Sequence, residues 1–401
     1  MQRDIRFNSI REQYEKEFGQ IRELVYISAP GRTEIGGNHT DHQHGCVLAG
    51  SVNLDIIAVA AKNDDNIIRI KSEGYPVDEI NLNELAPDKN EFGKSSALIR
   101  GIAARFKELG FEVRGFNAYT SSNVLKGSGL SSSAAFEVLA ANIINALFCE
   151  EKVSAVEIAK IGQYSENIYF GKPCGLMDQM ASSIGGAVFI DFKTTDNPRI
   201  KKIEFDLAKE GYALCIIDTG ADHADLTDEY AAIPSEMRAA ANFFGKDYLR
   251  EVDKNKFLAE ISKLREHIGD RAVLRAYHFF KENERAFKEA KALEEKDFQT
   301  FLELVKESGR SSYMYLQNVN VTGAKSGQAV GIVLALCEEY LQGKGAYRVH
   351  GGGFAGTVQA FVPLENLDDF KQNIEKSVGT GKCHILSIRS NGGTVLKRIG
   401  G

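Results

Sequence analysis

The sequence predicts a globular chain of mixed strands and helices in two or three structural units, and three observations carry that prediction. At 401 residues, the chain exceeds the roughly 250–300 residues that a single core serves. With 43% hydrophobic residues, 26% charged residues and only 7 Pro, it has an ordinary globular composition, which excludes disorder and a collagen-like structure. Strand-type runs alternate with helical runs in the first half, whereas the part beyond Ala231 is mainly helical before it closes with strands. No internal repeat, low-complexity tract or Pro/Ser linker interrupts the chain, so two domains would pack closely, with a boundary near residues 190–215.

The elements follow in order. Leu24–Ile27 reads as a strand ending in the loop Ala29-Pro30-Gly31. Cys46–Ala61 and Ile67–Ile70 resemble antiparallel strands joined by the turn Asn63-Asp64-Asp65-Asn66. Ser95–Leu109 has helical periodicity and stops at Gly110, with Lys107 in its last turn. Val113–Tyr119 is a strand, and Ser131–Phe148 places Phe136, Leu139, Ala140, Ile143 and Leu147 on one face of a helix entered from a glycine loop. Lys152–Phe170 is a second helix; Gly185–Phe192, Ile200–Phe205 and Tyr212–Asp218 are strands. Helices over Arg271–Leu293, Lys296–Glu307 and Ser326–Leu341 precede strands near Tyr347–His350, Val358–Val362 and Cys383–Arg389.

Charge and cysteine usage narrow the function classes. The net charge of −6 argues against a chain that coats nucleic acid or an anionic membrane. No stretch approaches the ~20 apolar residues of a membrane helix, and Met1–Ile10 carries Arg3, Asp4 and Arg6 rather than an apolar signal core. A cytoplasmic chain is expected. The six cysteines are scattered without a C-x-x-C pair, so neither a disulfide framework nor a cysteine zinc site is indicated.

Lys126-Gly127-Ser128-Gly129-Leu130-Ser131-Ser132-Ser133-Ala134-Ala135 lies between a strand and a helix. Glycines let backbone approach a ligand, and the free N–H groups and dipole of a helix start favour a phosphate there. The three serines from Ser131 to Ser133 add donors and a possible Mg²⁺ ligand. The run matches neither the Walker pattern nor the dinucleotide pattern, and a Ser N-cap beside a flexible loop is the plainer alternative.

This run resembles the second motif of the GHMP family of small-molecule kinases. Gly31-Arg32-Thr33-Glu34-Ile35-Gly36-Gly37-Asn38-His39-Thr40-Asp41-His42 is similar to the galactokinase signature G-R-V-N-L-I-G-E-H-T-D-Y, and His350-Gly351-Gly352-Gly353-Phe354-Ala355-Gly356 to the third glycine motif. The resemblance implies a two-domain α+β fold, an N-terminal ribosomal-S5-like half (1–200) and a C-terminal ferredoxin-like half (201–401), with nucleotide and sugar in the cleft between them. Residues 1–20, with Tyr14, Phe18 and charges at helix-like spacing, would cover the outer surface of that cleft. The 38 glycines exceed average usage by roughly ten, about as many as the motif loops and the catalytic segment contain.

The resemblance also implies roles. Cys174-Gly175-Leu176-Met177-Asp178-Gln179 resembles the motif C-G-I-M-D-Q, which makes Asp178 the catalytic base facing the anomeric hydroxyl and Arg32 its partner. An opposite charge within ~4–6 Å lowers a carboxylate pKa by about 1–3 units, so orientation and electrostatics are expected to outweigh outright proton abstraction. ATP would lie on Gly127, Ser128, Gly129, Leu130, Ser131, Ser132 and Ser133, with Ser72 as a further contact. Glu166 matches the Mg²⁺ carboxylate and would share the ion with Ser133, or with Ser132, as suits an ion that takes few protein oxygens beside phosphate and water. The sugar would meet Asn38, His39, Thr40, Asp41, Gly175, Asp178 and Tyr230. The cluster His39, His42, His44 and Asp41 is read as this sugar loop rather than a metal site, and Asp222-His223 with Asp225 and Asp228 as a polar helix start.

Five departures loosen the substrate, among them the run Ala231-Ala232-Ile233-Pro234 after Tyr230, which lacks the family's usual arginines. Asn38 replaces the signature Glu that takes the 6-hydroxyl, and an amide, which donates as well as accepts, would still bind a 6-hydroxyl or would tolerate a 6-carboxylate that Glu repels. Glu34 replaces the signature Asn, His42 its Tyr, and Ala355 a Gly. The expected activity is an ATP-dependent 1-kinase for galactose; a 1-kinase for galacturonate, arabinose or N-acetylgalactosamine, or a non-catalytic sugar and ATP sensor, is the alternative. Expected partners are the sugar and ATP alone, without nucleic acid or membrane, in a monomer or weak homo-oligomer.

Overall fold

The computed structural model describes residues 2–20, 23–125, 129–220, 226–321, 323, 325–354 and 356–400. Lys126, Gly127, Ser128, Asp222, His223, Asp225 and Ala355, named above, lie outside the described residues. The strands are β1 (Leu24–Gly36), β2 (Cys46–Lys62), β3 (Ile67–Ser72), β4 (Val77–Asn81), β5 (Phe116–Ser122), β6 (Ala187–Asp191), β7 (Arg199–Ile203), β8 (Tyr212–Asp218), β9 (Ala346–His350), β10 (Thr357–Pro363), β11 (Cys383–Leu386) and β12 (Thr394–Ile399). The helices are α1 (Gln2–Phe18), α2 (Ser95–Glu108), α3 (Ser132–Phe148), α4 (Ala155–Ser165), α5 (Met177–Ile184), α6 (Thr227–Phe243), α7 (Lys254–Ala259), α8 (Ile261–Ile268), α9 (Asp270–Glu294), α10 (Phe298–Ser311), α11 (Ala329–Leu341) and α12 (Leu367–Val378).

An 8-stranded sheet runs β12-β1-β2-β5-β3-β4, with β6 and β7 continuing from β2. The sequence pairs β2 with β3 across the turn at 63–66; the structure instead places β5 between them, antiparallel to β2 and parallel to β3. The physical reason is α2. Its apolar face, with Leu98, Ile99, Ile102 and Phe106 buried, must cover the sheet, and a strand–helix–strand crossover returns the chain parallel to its starting strand. Strand β1 also runs past the expected stop, through Pro30 and Gly31 to Gly36. Its register slips between Pro30 and Arg32, where the missing proline N–H is tolerated. Arg32 and Glu34, two residues apart on a strand, therefore point to the same side.

Helix α1 packs on the first sheet rather than over a cleft. Ile10 and Tyr14 are buried with Leu24, Tyr26, Ile57, Val59 and Tyr119, and Arg6 Nη1 donates to Asp55 Oδ1 at 2.6 Å.

The second sheet, β11-β8-β10-β9, is antiparallel with 4 strands. Leu214 and Ile216 of β8 face the large core shared with α3 and α10, while Cys215 and Ile217 face α11 and α12. Burial on both faces explains why β8 reads as one apolar run. The last strand, β12, pairs with β1 in the first sheet, and a cut at residue 200 passes through β7. Both halves thus contribute to one large core.

Helix α9 packs on the first sheet, against β1, β2, β6 and β7, and beside α10. Its buried polar residues Arg275, His278, Glu282, Arg285 and Glu289 recur at three- and four-residue steps, which aligns them on one face. That face meets the loop after β1: Glu282 Oε1 accepts from the Gly37 and Asn38 N–H groups, each at 3.3 Å, and His278 Nε2 lies 3.0 Å from the Asn38 carbonyl.

Candidate active site

Arg32 and Asp178 meet 146 residues apart in sequence, with Nε to Oδ1 and Nη2 to Oδ2 both at 2.6 Å. This fork-to-fork geometry is the strongest form of a guanidinium–carboxylate contact. Asp178 stands in the first turn of α5, where the helix dipole favours a negative charge. Burial pushes the Asp178 carboxyl up, but the Arg32 guanidinium, the Ser131 hydroxyl and the Lys172 ammonium outweigh it, leaving it below its ordinary value. Arg32 Nη1 also donates to the Gly129 carbonyl, and the Arg32 N–H donates to Leu130 O at 3.0 Å. The acid–arginine pair is thereby tied directly to the phosphate-loop backbone.

On one side of the pair lies a cavity of about 530 Å³ whose wall includes Arg32, Glu34, His39, Asp41, Gly175 and Tyr230, within the size range of small-molecule sites. Asp41 Oδ1 accepts the His42 N–H at 2.8 Å. Burial, then the neighbouring Asp178 and Glu34 carboxylates, push the Asp41 carboxyl up to about 6. A Cβ at position 175 would collide with the Asp41 carboxylate as it stands, so glycine there leaves room for that carboxylate. His39 Nε2 lies 3.2 Å from the Gly352 carbonyl, and burial lowers its pKa to about 4, so the ring is neutral at pH 7. The Tyr230 hydroxyl donates to Gly353 O at 2.8 Å while its ring stands edge-on to Phe354.

The structure does not bring Asn38 and Thr40 to this wall. Thr40 is fully buried, its hydroxyl 2.9 Å from Gly37 O and 2.7 Å from Cys46 O, so it shapes the loop. Asn38 is likewise fully buried. His44 stacks on Tyr248 at 3.5 Å between ring centroids, and among the described residues no group of three His, Cys, Asp or Glu side chains is arranged to hold a metal.

On the other side of the pair the chain enters α3. Gly129 and Ser131 both adopt positive φ, +70° and +53°, a backbone that exposes the first N–H groups of α3. A second cavity of about 450 Å³ is lined by Ser72, Tyr75, Asp78, Ser132, Ser133 and Phe136, among others. Leu130, by contrast, is fully buried and contributes backbone only. Ser72 Oγ accepts from Thr120 Oγ1 at 3.0 Å.

Glu166 opens a π-helical turn, Glu166–Phe170. Its Oε1 meets Lys172 Nζ at 3.2 Å, and Gln179 Nε2 stands 2.9 Å from both Glu166 Oε2 and Glu137 Oε2. Burial and the nearby Glu166 push Glu137 well above its ordinary value, and its Oε1 is buried without a partner. Ser133 and Glu137 lie four residues apart on α3, hence on one helix face. Two buried carboxylates bridged by Gln179, one with an oxygen unpartnered among the described residues, and a hydroxyl on the same face of α3 make a donor set that fits Mg²⁺.

Sequence reasoning missed Glu34 and Arg348 as wall and support, Lys172 beside Glu166, and the α9 stripe. The stripe was findable, because charged residues at 3–4 spacing on an otherwise apolar helix face signal a buried polar contact. His350, placed in the third motif, is buried against the site: Nδ1 is 2.9 Å from Thr357 Oγ1 and Nε2 is 3.1 Å from Thr33 Oγ1.

Comparison with known proteins identifies the family. The model for the GHMP kinases N terminal domain matches residues 97–186, and the galactokinase galactose-binding signature matches residues 12–62. A galactokinase of Glaesserella parasuis serovar 5 is 30% identical over 396 residues, covering 96% of this chain and 98% of that protein. A galactokinase of Streptomyces coelicolor is 29% identical over 374 residues, 92% of each chain. The crystal structure of Lactococcus lactis galactokinase complexed with galactose has a TM-score of 0.83 at 26% identity, covering 97% of this chain and 100% of that one. A mevalonate kinase shares the fold, with a TM-score of 0.62 at 16% identity over 92% of this chain and 99% of that one.

Proposed function

Because the chain belongs to the galactokinase family and has the α+β fold of GHMP kinases, we propose that it transfers the γ-phosphoryl of ATP to the anomeric hydroxyl of α-D-galactose. The products are galactose 1-phosphate and ADP. The observation that carries this reading is the Arg32–Asp178 pair: Arg32 stands in the wall of the cavity of polar sugar-loop residues and is tied to the backbone of Gly129 and Leu130, which leads into α3 and the second cavity.

In this reading the sugar occupies the first cavity with its anomeric hydroxyl toward Asp178. Asp41, its carboxyl raised by burial, and His39 take ring hydroxyls. ATP lies in the second cavity with its phosphates at the α3 start, over Ser131, Ser132 and Ser133. Asp178, held ionised by Arg32, orients the hydroxyl and takes its proton as the new P–O bond forms. Arg32 faces the charge that develops on the transferred group, the interaction that dominates phosphoryl transfer. Ser133 and Glu166 would hold Mg²⁺, which supplies charge neutralisation on the terminal phosphates when bound. Six free cysteines accord with a cytoplasmic, reducing location.

The test offers galactose, galacturonate, arabinose and N-acetylgalactosamine in parallel to purified protein with ATP and Mg²⁺. Galactose-dependent ADP release above all other sugars is expected. Galactose turnover far below galacturonate or arabinose refutes the substrate, and ADP release from no sugar refutes the kinase.

A further inference from the structure

We propose that Glu34, rather than Asn38, is the side chain at this end of the signature that meets the sugar, and that its carboxylate selects a neutral sugar over the corresponding uronic acid. The inference rests on the sugar 1-kinase reading above. The signature that this loop resembles carries Asn at the place of residue 34 and Glu at that of residue 38; in this chain the two are exchanged.

The structure shows what the exchange does. Asn38 Nδ2 donates to Glu34 Oε1 at 2.9 Å and to Gly351 O at 2.7 Å. Asn38 Oδ1 accepts from Asn318 Nδ2 at 3.0 Å and from Ser312 Oγ at 3.2 Å. A primary amide has two donors and two acceptor sites, and all four are taken inside the protein. Nothing of this side chain is left for a ligand. Glu34, in contrast, lines the sugar cavity beside Arg32 and Asp41. Its Oε1 is held by Asn38 and by Arg348 Nη2 at 2.6 Å, and its Oε2 takes no hydrogen bond among the described residues. Arg348 is fully buried and is itself anchored through Nη1 to Ile35 O at 3.0 Å. Asn38 and Arg348 are therefore positioning residues, and they present one carboxylate oxygen to the cavity. Burial pushes the Glu34 carboxyl up, and Arg348, Arg32 and Asn38 oppose that shift; in its ionised form the carboxylate only accepts, so it takes a sugar hydroxyl and repels a sugar carboxylate. The tolerance for a 6-carboxylate that Asn38 suggests from sequence alone is thus withdrawn by Glu34.

Steady-state kinetics of the full chain test this with Glu34→Gln and Glu34→Asp, varying galactose, galacturonate and ATP separately, with thermal unfolding as the folding control. E34Q is expected to raise the galactose KM at least tenfold, leave the ATP KM within twofold, and raise galacturonate turnover relative to galactose at least tenfold. E34D keeps the charge opposite Arg348 on a shorter stem; it is expected to raise the galactose KM without gaining galacturonate. An E34Q galactose KM within twofold of the parent, an equal rise in the ATP KM, or a galacturonate gain shared by E34D overturns the proposal. If the variants do not fold, the parent decides: galacturonate inhibiting at concentrations near the galactose KM overturns it, and failure to inhibit at a hundred times that concentration supports it. A parent that phosphorylates no sugar refutes the kinase reading, whereas a parent active on galactose with an unaffected E34Q refutes only the role of Glu34.

Discussion

An alanine at position 175 separates the function of the sugar loop from its stability. A Cβ there stands 2.9 Å from Asp41 Cγ and closer still to Oδ2, about 1 Å inside the nearest approach that real Cβ atoms make. The backbone at 175 is not left-handed, so alanine is strained only by that collision. The colliding atoms end a side chain, and relief comes from turning the Asp41 carboxylate, at the loss of its bond from the His42 N–H. One such neutral-donor bond is worth about 1 kcal/mol, so the melting temperature should fall by only a few degrees. A 1 Å displacement of a group that positions substrate costs on the order of 10²-fold in rate, which corresponds to about 2.7 kcal/mol in kcat/KM. Galactose kinetics at saturating ATP should therefore show kcat/KM for the sugar reduced about a hundredfold, while the ATP KM stays unchanged. A Gly175→Ala variant with parental sugar kinetics would refute the placement of Asp41 as a sugar contact.

Four further outcomes follow from the charges. Asp178→Asn should lower kcat by about 10²–10⁴-fold while galactose still protects the chain against heat, and undiminished turnover would remove Asp178 as the base. The folded-state pKa of Asp178 is depressed, so the stability of its pair with Arg32 is present above its unfolded value of 3.8 and is lost as pH falls through the folded value; Arg32→Met should therefore melt below the parent at pH 7 and approach it in acid. Asp41 has the opposite sign: its carboxyl is raised from 3.8 to about 6, so the fold holds a proton that the unfolded chain releases, and stability falls with rising pH across that window. Asp41→Asn should thus gain about 1–3 kcal/mol at pH 7 while losing sugar binding, and a melting temperature below the parent would show that the carboxylate is stabilising. Both carboxyl oxygens of Glu289 are buried without a partner among the described residues, and burial holds that group well above its ordinary value; Glu289→Leu should raise the melting temperature by a few degrees at pH 8, since an unsatisfied buried polar group costs about 1–3 kcal/mol.

Much of the first unit was legible because its signals are local. Helices α2 and α3 begin and end within one residue of the sequence reading, since capping, periodicity and a terminal glycine are short-range properties. Strand β12 and helices α5 and α12 were missed, although α12 buries Phe370 and Ile374 one helical turn apart. The 2–3 pairing failed because a turn and two apolar runs describe a hairpin and a crossover equally well; the face of α2 that must be covered decided for the crossover.

The sequence by itself determined the chemistry: the glycine loops, the serines that open α3, and the Arg32 and Asp178 segments are contiguous strings whose backbone and charge act in place. Only the tertiary structure decided which signature side chains line the cavity beside Arg32. Glu34 and Asn38 are four residues apart and equally polar, yet Asn318, Ser312 and Gly351, more than 270 positions away, saturate Asn38, and Arg348 turns Glu34 to the cavity. Orientation of a buried polar group is set by where its hydrogen-bond partners lie, and those partners come from distant segments that no local pattern encodes.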